Sequence, residues 1–146
     1  MGLFDSLGIS GSALTAQRLR MDVTAENLAN AQTTRDANGQ PYRRKEVVLQ
    51  EATSGFGAAL QNAQAGSSPA GAGVQVAGIV ADSTPGRRVY DPGNPDADRQ
   101  GYVTMPNVNP VTEMVDLIDA SRAYEANVTA MSAAKQMFTK TLDLLR

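Results

Sequence analysis

Four apolar residues recur every seven positions near the N-terminus: Leu7, Leu14, Met21 and Leu28. Seven positions are about two turns of an α-helix, so these side chains share one helical face with Leu3 and Ala25. Ala16, Leu19 and Val23 fall almost opposite. The pattern predicts a helix around residues 10–30 with apolar side chains on two faces, whereas a surface helix of a globular protein needs only one.

The C-terminal part of the chain predicts a second, longer helix. Asn109 is a favourable N-cap residue, and Pro110 occupies the first helical position, where its missing N–H is not needed. Glu113 places negative charge near the positive end of this helix. No Gly or Pro occurs from Val111 to Arg146, which allows a helix of about 54 Å at a rise of ~1.5 Å per residue.

This helix carries two predicted seams, a seam being a row of side chains at heptad spacing. The first seam consists of Met114, Leu117, Ser121, Tyr124, Val128, Met131, Lys135, Phe138, Leu142 and Leu145. Eight of its ten members are apolar, which is the pattern of a coiled coil. The second seam consists of Ala123, Ala126, Ala130, Ala133, Met137 and Leu144. It lies about 200° round the helix from the first, and its small residues favour close helix approach.

Two seams on one helix predict assembly, because a chain of 146 residues is too short to surround such a helix with its own core. The N-terminal helix covers only about 30 Å of the ~54 Å of the C-terminal helix. We therefore expect the two helices to pack on each other and on neighbouring copies. The termini are expected to be partly disordered in the monomer and to become ordered on assembly.

Between the helices the sequence predicts short strands, at residues 44–50, 73–80 and 87–90, with a weaker candidate at 102–104. Residues 53–73 hold 15 Gly, Ala, Ser or Pro among 21, which predicts a flexible insertion. The predicted fold class is α+β, with paired N- and C-terminal coiled-coil-like helices and a small β-rich middle. The predicted regions are 1–34 (helical), 35–106 (middle) and 107–146 (helical).

Composition excludes several functions. A net charge of −2 argues against non-specific nucleic-acid binding, and the basic run 43–45 is expected to be solvated. The absence of His and Cys excludes the common zinc sites and Ser-His or Cys-His catalysis. No stretch approaches the ~20 apolar residues that span a bilayer, so no membrane insertion is expected. The N-terminal residues lack the features of a cleaved signal peptide, and no cofactor or enzymatic activity is predicted.

One acidic loop resembles a calcium site in part. Asp96, Asp98, Gln100 and Gly101 match positions one, three, five and six of a calcium loop, but the twelfth position is Asn107 instead of Glu. A rigid acidic turn is the preferred interpretation. The carboxylates of Asp116 and Asp119 are one helical turn apart, and we expect them on a solvated face.

Several motifs together resemble a known family. Residues 12–21 and the motif Asn27-Leu-Ala-Asn30, followed by Thr33-Thr34, are similar to the N-terminal signature of bacterial flagellar axial proteins. Further motifs lie at residues 41–45, 89–92, 95–98, 101–103, 105–109 and 121–127. Taken together they resemble the C-class proximal rod proteins of the flagellar basal body. The resemblance covers nearly the whole chain except residues 53–73.

This resemblance implies a structural subunit that is exported unfolded through the flagellar type III apparatus, without a cleaved signal. It implies helical assembly into the periplasmic rod, which carries torque from the membrane ring to the hook. The implied partners are copies of the chain, other rod subunits and the ring–rod adaptor. We expect the amides of Asn27 and Asn30 to satisfy backbone groups at the end of the first helix, with Thr33 and Thr34 in the turn beyond it.

Three alternatives stay open at the level of sequence. The chain is another flagellar axial subunit, such as a different proximal-rod, distal-rod or hook protein. It is a small cation-binding module that uses the acidic loop at residues 91–101. Or it is a peripheral membrane protein bound through its amphipathic C-terminal helix, although basic residues are not clustered there.

Overall fold

The computed structural model describes residues 3–36, 39–52 and 73–144. Helix α1 (Leu3–Ala29) is followed by strands β1 (Lys45–Glu51), β2 (Val74–Ala81), β3 (Arg88–Tyr90) and β4 (Tyr102–Thr104), and then by helix α2 (Pro110–Leu144). This arrangement confirms the predicted α+β class. The predicted insertion lies outside the described residues except for its last residue, Gly73.

The start of α2 confirms the predicted N-cap. The Oδ1 of Asn109 accepts a hydrogen bond from the backbone N–H of Val111 at 3.0 Å, and the carbonyl of Asn109 accepts one from the N–H of Glu113 at 3.0 Å. Pro110 is the first helical residue. The 35 residues of α2 correspond to about 52 Å of helix.

The end of α1 confirms the prediction for Asn30. Its Nδ2 donates to the carbonyl of Glu26 at 2.9 Å, and its Oδ1 accepts from the hydroxyl of Thr33 at 3.2 Å. The carbonyl of Glu26 also accepts from the backbone N–H of Asn30 at 3.1 Å, so the side chain of Asn30 adds a second hydrogen bond to a carbonyl in the last turn. Thr34, beyond the helix, donates to Asp96 Oδ2 at 2.7 Å.

The strands form two separate pairs. β1 pairs with β2, and backbone hydrogen bonds close both ends of this pair, from Asp82 N to Arg44 O at 2.8 Å and from Ala52 N to Gly73 O at 3.0 Å. The order of these contacts means that the strands are antiparallel. β3 pairs with β4 in antiparallel register, with Val89 opposite Val103. All four predicted strands are present, and their bounds differ from the prediction by no more than one residue.

The described residues divide into two compact units. The first unit holds residues 3–19, 48–52, 73–78 and 121–144, and the second holds residues 20–36, 39–47 and 79–120. Each helix and each strand of the β1–β2 pair therefore contributes one segment to each unit. The predicted regions 1–34, 35–106 and 107–146 follow the order of elements along the chain and stay a prediction.

In the first unit, a loop residue approaches α1 closely. The Oγ of Ser12 donates to Ile9 O at 2.7 Å and accepts from Val74 N at 3.1 Å. Gly73, just before β2, has a φ of 98°, and a Cβ there would lie 2.5 Å from Ser12 Oγ. Both the left-handed backbone and the close contact therefore require glycine at this position.

Small residues dominate the buried apolar set of the described chain. Its members are Ala16, Val23, Tyr42, Val103, Ala120 and Ala134. Since three of these six are alanines, the apolar area that they remove from water is small, and hydrophobic burial scales with that area. Among the described residues, the subunit therefore buries few large apolar side chains by itself.

Candidate functional site

The predicted face of α1 is only half-buried. Its four heptad residues, Leu7, Leu14, Met21 and Leu28, are all partly accessible to solvent. On the other side of the helix, Ala16 and Val23 are buried. The structure therefore buries the second predicted face of α1 more completely than the first.

The members of the first seam of α2 differ in their exposure. Leu117, Tyr124 and Met131 are half-buried, as are Ser121 and Asp116, but Met114 is 50% exposed and its neighbour Glu113 is only 1% exposed. The other exposed members are Val128, Lys135, Phe138 and Leu142, and Leu145 lies outside the described residues.

The buried residues of α2 each lie one position before a member of the first seam. They are Glu113, Ala120 and Ala134, with successive spacings of seven and fourteen residues. The packing role of the first seam in the assembly stays a prediction, and within the subunit the more buried positions are these smaller or charge-paired neighbours. Alanine occupies buried positions here because of its small size, and Glu113 does so because its charge is paired.

The second seam is largely open. Ala126, Ala130 and Ala133 are exposed, Ala123 is half-buried, and Met137 is 57% exposed. The side chain of Leu144 lies outside the described set. The role of this seam as a packing surface stays a prediction.

A third group of apolar side chains contains Met114 of the first seam and three residues that the sequence analysis missed. It is an exposed stripe on the first turns of α2, formed by Val111, Met114, Val115 and Ile118. Their spacing of i, i+3, i+4 and i+7 places them on one helical face, and the same spacing could have revealed them in the sequence. We call this group the open stripe.

On the other side of these turns lies a buried polar network within the second unit. At its centre is Asn27, which is 1% exposed. Its Nδ2 donates to Glu113 Oε2 at 3.0 Å and to Lys45 O at 2.8 Å. Its Oδ1 accepts from Lys45 N at 2.9 Å and from the hydroxyl of Tyr42 at 2.9 Å. Asn27 therefore does not serve the end of α1, which corrects the prediction for this residue.

Four charged side chains extend the network. Arg44 Nε donates to Glu113 Oε1 at 2.5 Å, and Arg44 Nη2 donates to Asp116 Oδ2 at 3.0 Å. Arg20 Nη2 lies 3.8 Å from Asp116 Oδ1. Two cations thus balance two anions, which is the condition for burying a carboxylate such as Glu113. The hydrogen bond to Glu113 raises the pKa of Arg44, so Arg44 stays charged.

These contacts correct two expectations. Arg44 is not an ordinary solvated residue of a basic run, and Asp116 does not lie on a solvated face. Because residues 20 and 27 of α1 meet residues 116 and 113 of α2, the two helical segments of this unit are antiparallel. The ion pair of Arg20 with Asp116 and the hydrogen bond from Asn27 to Glu113 oppose sliding of one segment along the other.

Two further residues, one just before β1 and one at its start, have raised pKa values. Burial, and then the charge of Glu26, raises the pKa of the Tyr42 hydroxyl. A hydrogen bond to Glu26 raises the pKa of the Lys45 ammonium, with 2.5 Å between Lys45 Nζ and Glu26 Oε1. Tyr42 is therefore held neutral and Lys45 charged at neutral pH.

The acidic loop forms a turn held by its own carboxylates. Asp98 Oδ1 accepts from the backbone N–H groups of Tyr102 at 2.9 Å and Gln100 at 2.8 Å, and the bond from Tyr102 is the main reason that the pKa of Asp98 is lowered. Asp98 Oδ2 also pairs with Arg88. Gly101 has a φ of 80°, a backbone conformation that glycine adopts without strain. The preferred interpretation of a rigid acidic turn fits this geometry.

Within the described ranges, no cluster of three or more acidic side chains could hold a metal ion. Among the same residues, neither helix has a stretch long and apolar enough to span a bilayer. What the geometry offers is a contact surface, with apolar side chains directed outward from a helix whose other face is fixed by ion pairs.

Comparison with known proteins decides the family. A family model described as "Flagella basal body rod protein" matches residues 7–35, and one described as "Flagellar basal body rod FlgEFG protein C-terminal" matches residues 99–144. The flagellar basal-body rod protein FlgC of Bacillus subtilis (strain 168) is 52% identical over 148 residues, covering 99% of both chains. The chain belongs to the FlgC family of flagellar basal-body rod proteins.

Other members of the FlgC family match over a similar extent. The FlgC protein of Escherichia coli O6:H1 is 47% identical and covers 99% of this chain and 98% of its own. That of Borreliella burgdorferi is 43% identical and covers 100% and 99%. The resemblance to C-class rod proteins is therefore confirmed. The protein is a structural subunit of the rod in the flagellar basal body.

Proposed function

We propose that this subunit assembles helically with its own copies and with other rod subunits to form the proximal rod, and that it transmits torque from the membrane ring toward the distal rod and hook. The observation that carries this proposal is the exposed apolar surface of α2. Its largest members are the open stripe together with Val128, Met137, Phe138 and Leu142.

The energetics of burial support this role. Complete burial of a Val, Leu, Met or Phe side chain is worth roughly 1.5–3 kcal/mol. Leu142 is 51% exposed, so about half of its apolar surface is still available for contacts with a neighbour. Association costs on the order of 4–15 kcal/mol. One such side chain is too little to offset that cost, but several along one helix are sufficient.

A torque-bearing shaft needs lateral contacts on more than one side of each subunit. In the second unit the open stripe is exposed, and in the first unit Ala126, Ala130, Ala133 and Met137 of the second seam are exposed. This arrangement supports contacts with at least two neighbours. In this role the chain catalyses no reaction, and all predicted seam residues serve packing.

We propose further that the subunit reaches the rod through the flagellar type III export apparatus and keeps its N-terminal segment there, and that it contacts the ring–rod adaptor. The family match over residues 7–35 supports this route, because it includes the N-terminal motif of axial proteins. Mass spectrometry of the subunit from purified basal bodies tests the route. Recovery of a peptide that begins at or next to residue 1 is expected, and its loss would contradict retention.

The assembly proposal is tested by a charge in the exposed apolar surface. Leu142→Asp is expected to abolish incorporation into the rod and to leave secretion nearly unchanged, because burial of an unpaired carboxylate at a contact is unfavourable. Gln136→Asp, at an exposed polar position of the same helix, is the matched control and is expected to assemble. Quantifying both variants in the medium and in purified basal bodies separates export from assembly. Normal incorporation of the Leu142 variant would overturn the proposal for this surface.

A further inference from the structure

We propose that the side chain of Asn27 takes the place of a neighbouring strand at the open edge of β1, and that its hydrogen bonds there require an amide. These hydrogen bonds connect the first residues of the middle region to both helical segments of the second unit. The proposal is independent of the rod function, since it concerns contacts inside one chain.

The first observation is the pair of bonds to Lys45. Asn27 Oδ1 accepts from Lys45 N at 2.9 Å, and Asn27 Nδ2 donates to Lys45 O at 2.8 Å. In an antiparallel sheet, a residue at a hydrogen-bonded position exchanges the same two bonds with the residue opposite. The amide of Asn27 thus offers Lys45 what the backbone of a third strand would offer.

The second observation is that the preceding residue is bound from the opposite side. The backbone carbonyl of Arg44 accepts a hydrogen bond from Asp82 N, next to the end of β2, at 2.8 Å. The backbone N–H of Arg44 donates to Asn107 Oδ1 at 2.7 Å. The backbone groups of successive residues in a strand point to alternate edges. Lys45 therefore presents its N–H and carbonyl to the edge that β2 does not cover, and Asn27 fills that edge.

The third observation is that the amide of Asn27 is fully used. An amide has two N–H donors and an oxygen with two lone pairs. The remaining donor goes to Glu113 Oε2 at 3.0 Å, and the remaining lone pair accepts from the hydroxyl of Tyr42 at 2.9 Å. Asn27 thereby connects α1, α2 and the start of β1 through four hydrogen bonds.

The chemistry of these partners excludes a carboxylate. Aspartate has the same shape as asparagine but has no donor when it is ionised. At position 27 it would place negative charge against both the carboxylate of Glu113 and the carbonyl of Lys45. The partners, rather than the size of the site, therefore select the amide.

The test uses the purified full-length chain and the isosteric variant Asn27→Asp. Its matched control is Asn30→Asp, because Asn30 belongs to the same motif and donates only to Glu26 O in its own helix. Hydrogen exchange at the Lys45 amide is the readout. We expect exchange in the Asn27 variant to be faster than in the unchanged protein by at least about tenfold, and in the control by less than about threefold.

A pH profile distinguishes the amide requirement from a general loss of structure. Protonation of the introduced carboxyl group restores one donor, so lowering the pH toward about 5 is expected to recover part of the protection at Lys45. Adding Glu113→Gln to the Asn27→Asp variant supplies a donor toward the introduced carboxylate and removes the repulsion between the two acidic groups. The double variant is expected to lose less protection than the sum of the two single variants.

Three results would overturn the proposal. The first is a Lys45 amide that exchanges in the unchanged protein as fast as an unstructured peptide, a result that needs no folded variant. The second is equal acceleration in the Asn27 and Asn30 variants. The third is a loss of protection in the Asn27→Asp variant that neither lower pH nor Glu113→Gln reduces.

Discussion

The two faces of the first turns of α2 have opposite chemistry and opposite exposure. One face carries Glu113, which is buried, and Asp116, which is half-buried, and ion pairs with Arg44 hold both. The other face carries the open stripe, whose Val111 is 69% exposed. In a self-sufficient globular protein the apolar face would be inside.

We infer from this difference which contacts the chain completes alone and which it leaves to neighbours. The polar network fixes register, because hydrogen bonds and ion pairs are satisfied at only one alignment of the segments. The apolar surface is tolerant of small shifts, since burial is non-directional. We infer that folding of the subunit is specified by the network and that its association is driven by the exposed apolar side chains.

The largest expected effect comes from removing the charge at the centre of the network. Glu113→Ala leaves Arg44 and one donor of Asn27 without their buried partner. We expect the free energy of unfolding of the purified chain to fall by roughly 3–5 kcal/mol, measured by urea denaturation. The exposed Glu125→Ala is the control on the same helix. A loss below about 1 kcal/mol for Glu113→Ala would show that the network does not specify the fold.

A smaller effect is expected from Tyr42→Phe, which removes one hydrogen bond to Asn27. The expected loss in unfolding free energy near neutral pH is about 0.5–1.5 kcal/mol. Since the pKa of Tyr42 is raised from 10.0, folding favours its protonated form. The resulting gain in unfolding free energy is fully present below the pKa of the tyrosine in the unfolded chain. It is lost as the pH rises through the higher pKa of Tyr42 in the folded chain.

Alkaline titration therefore sharpens the same prediction. Stability of the unchanged protein is expected to fall as pH rises above the ordinary tyrosine value of 10.0, and Tyr42→Phe is expected to make this fall shallower. Part of the slope remains, because Lys45 has a raised pKa as well. Tyr90→Phe, at a position that is 64% exposed, is the control. An identical slope in the Tyr42 variant would contradict the interpretation.

A similarly small effect on stability is expected on the open stripe. Ile118→Ser should lower the unfolding free energy of the purified chain by only about 1 kcal/mol, because about half of the side chain is already exposed. The same variant should reduce incorporation into the rod. Ser132→Thr, at an exposed polar position of α2, is expected to change neither quantity. A strongly destabilised Ile118 variant would place this side chain in the fold of the subunit itself.

Much of the fold was predictable from local chemistry. The Asn109–Pro110 pair predicted the start of α2 because an N-cap acts within three residues of itself. The four strands followed from short β-branched runs between turn residues. The hydrogen bond of Asn30 at the end of α1 was also within reach, since its partner Glu26 lies only four residues earlier in the chain.

The network was not predictable in this way. The partners of Asn27 are separated from it by 18 and 86 residues along the chain, and no local pattern brings them together. The burial of Glu113 was not predictable either, because the balancing charge of Arg44 comes from a distant segment. Heptad spacing predicts which side chains share a helical face, but it does not say which of them the subunit itself buries.

The most direct test of the central claim measures oxidation of methionines in two states of the protein. Met114 and Met137 are 50% and 57% exposed in the isolated chain, so both should be oxidised readily by a brief pulse of hydroxyl radicals. In purified basal bodies, the account predicts that both become strongly protected, because neighbouring subunits cover α2. Equal oxidation of these two residues in the free chain and in the basal body would contradict it.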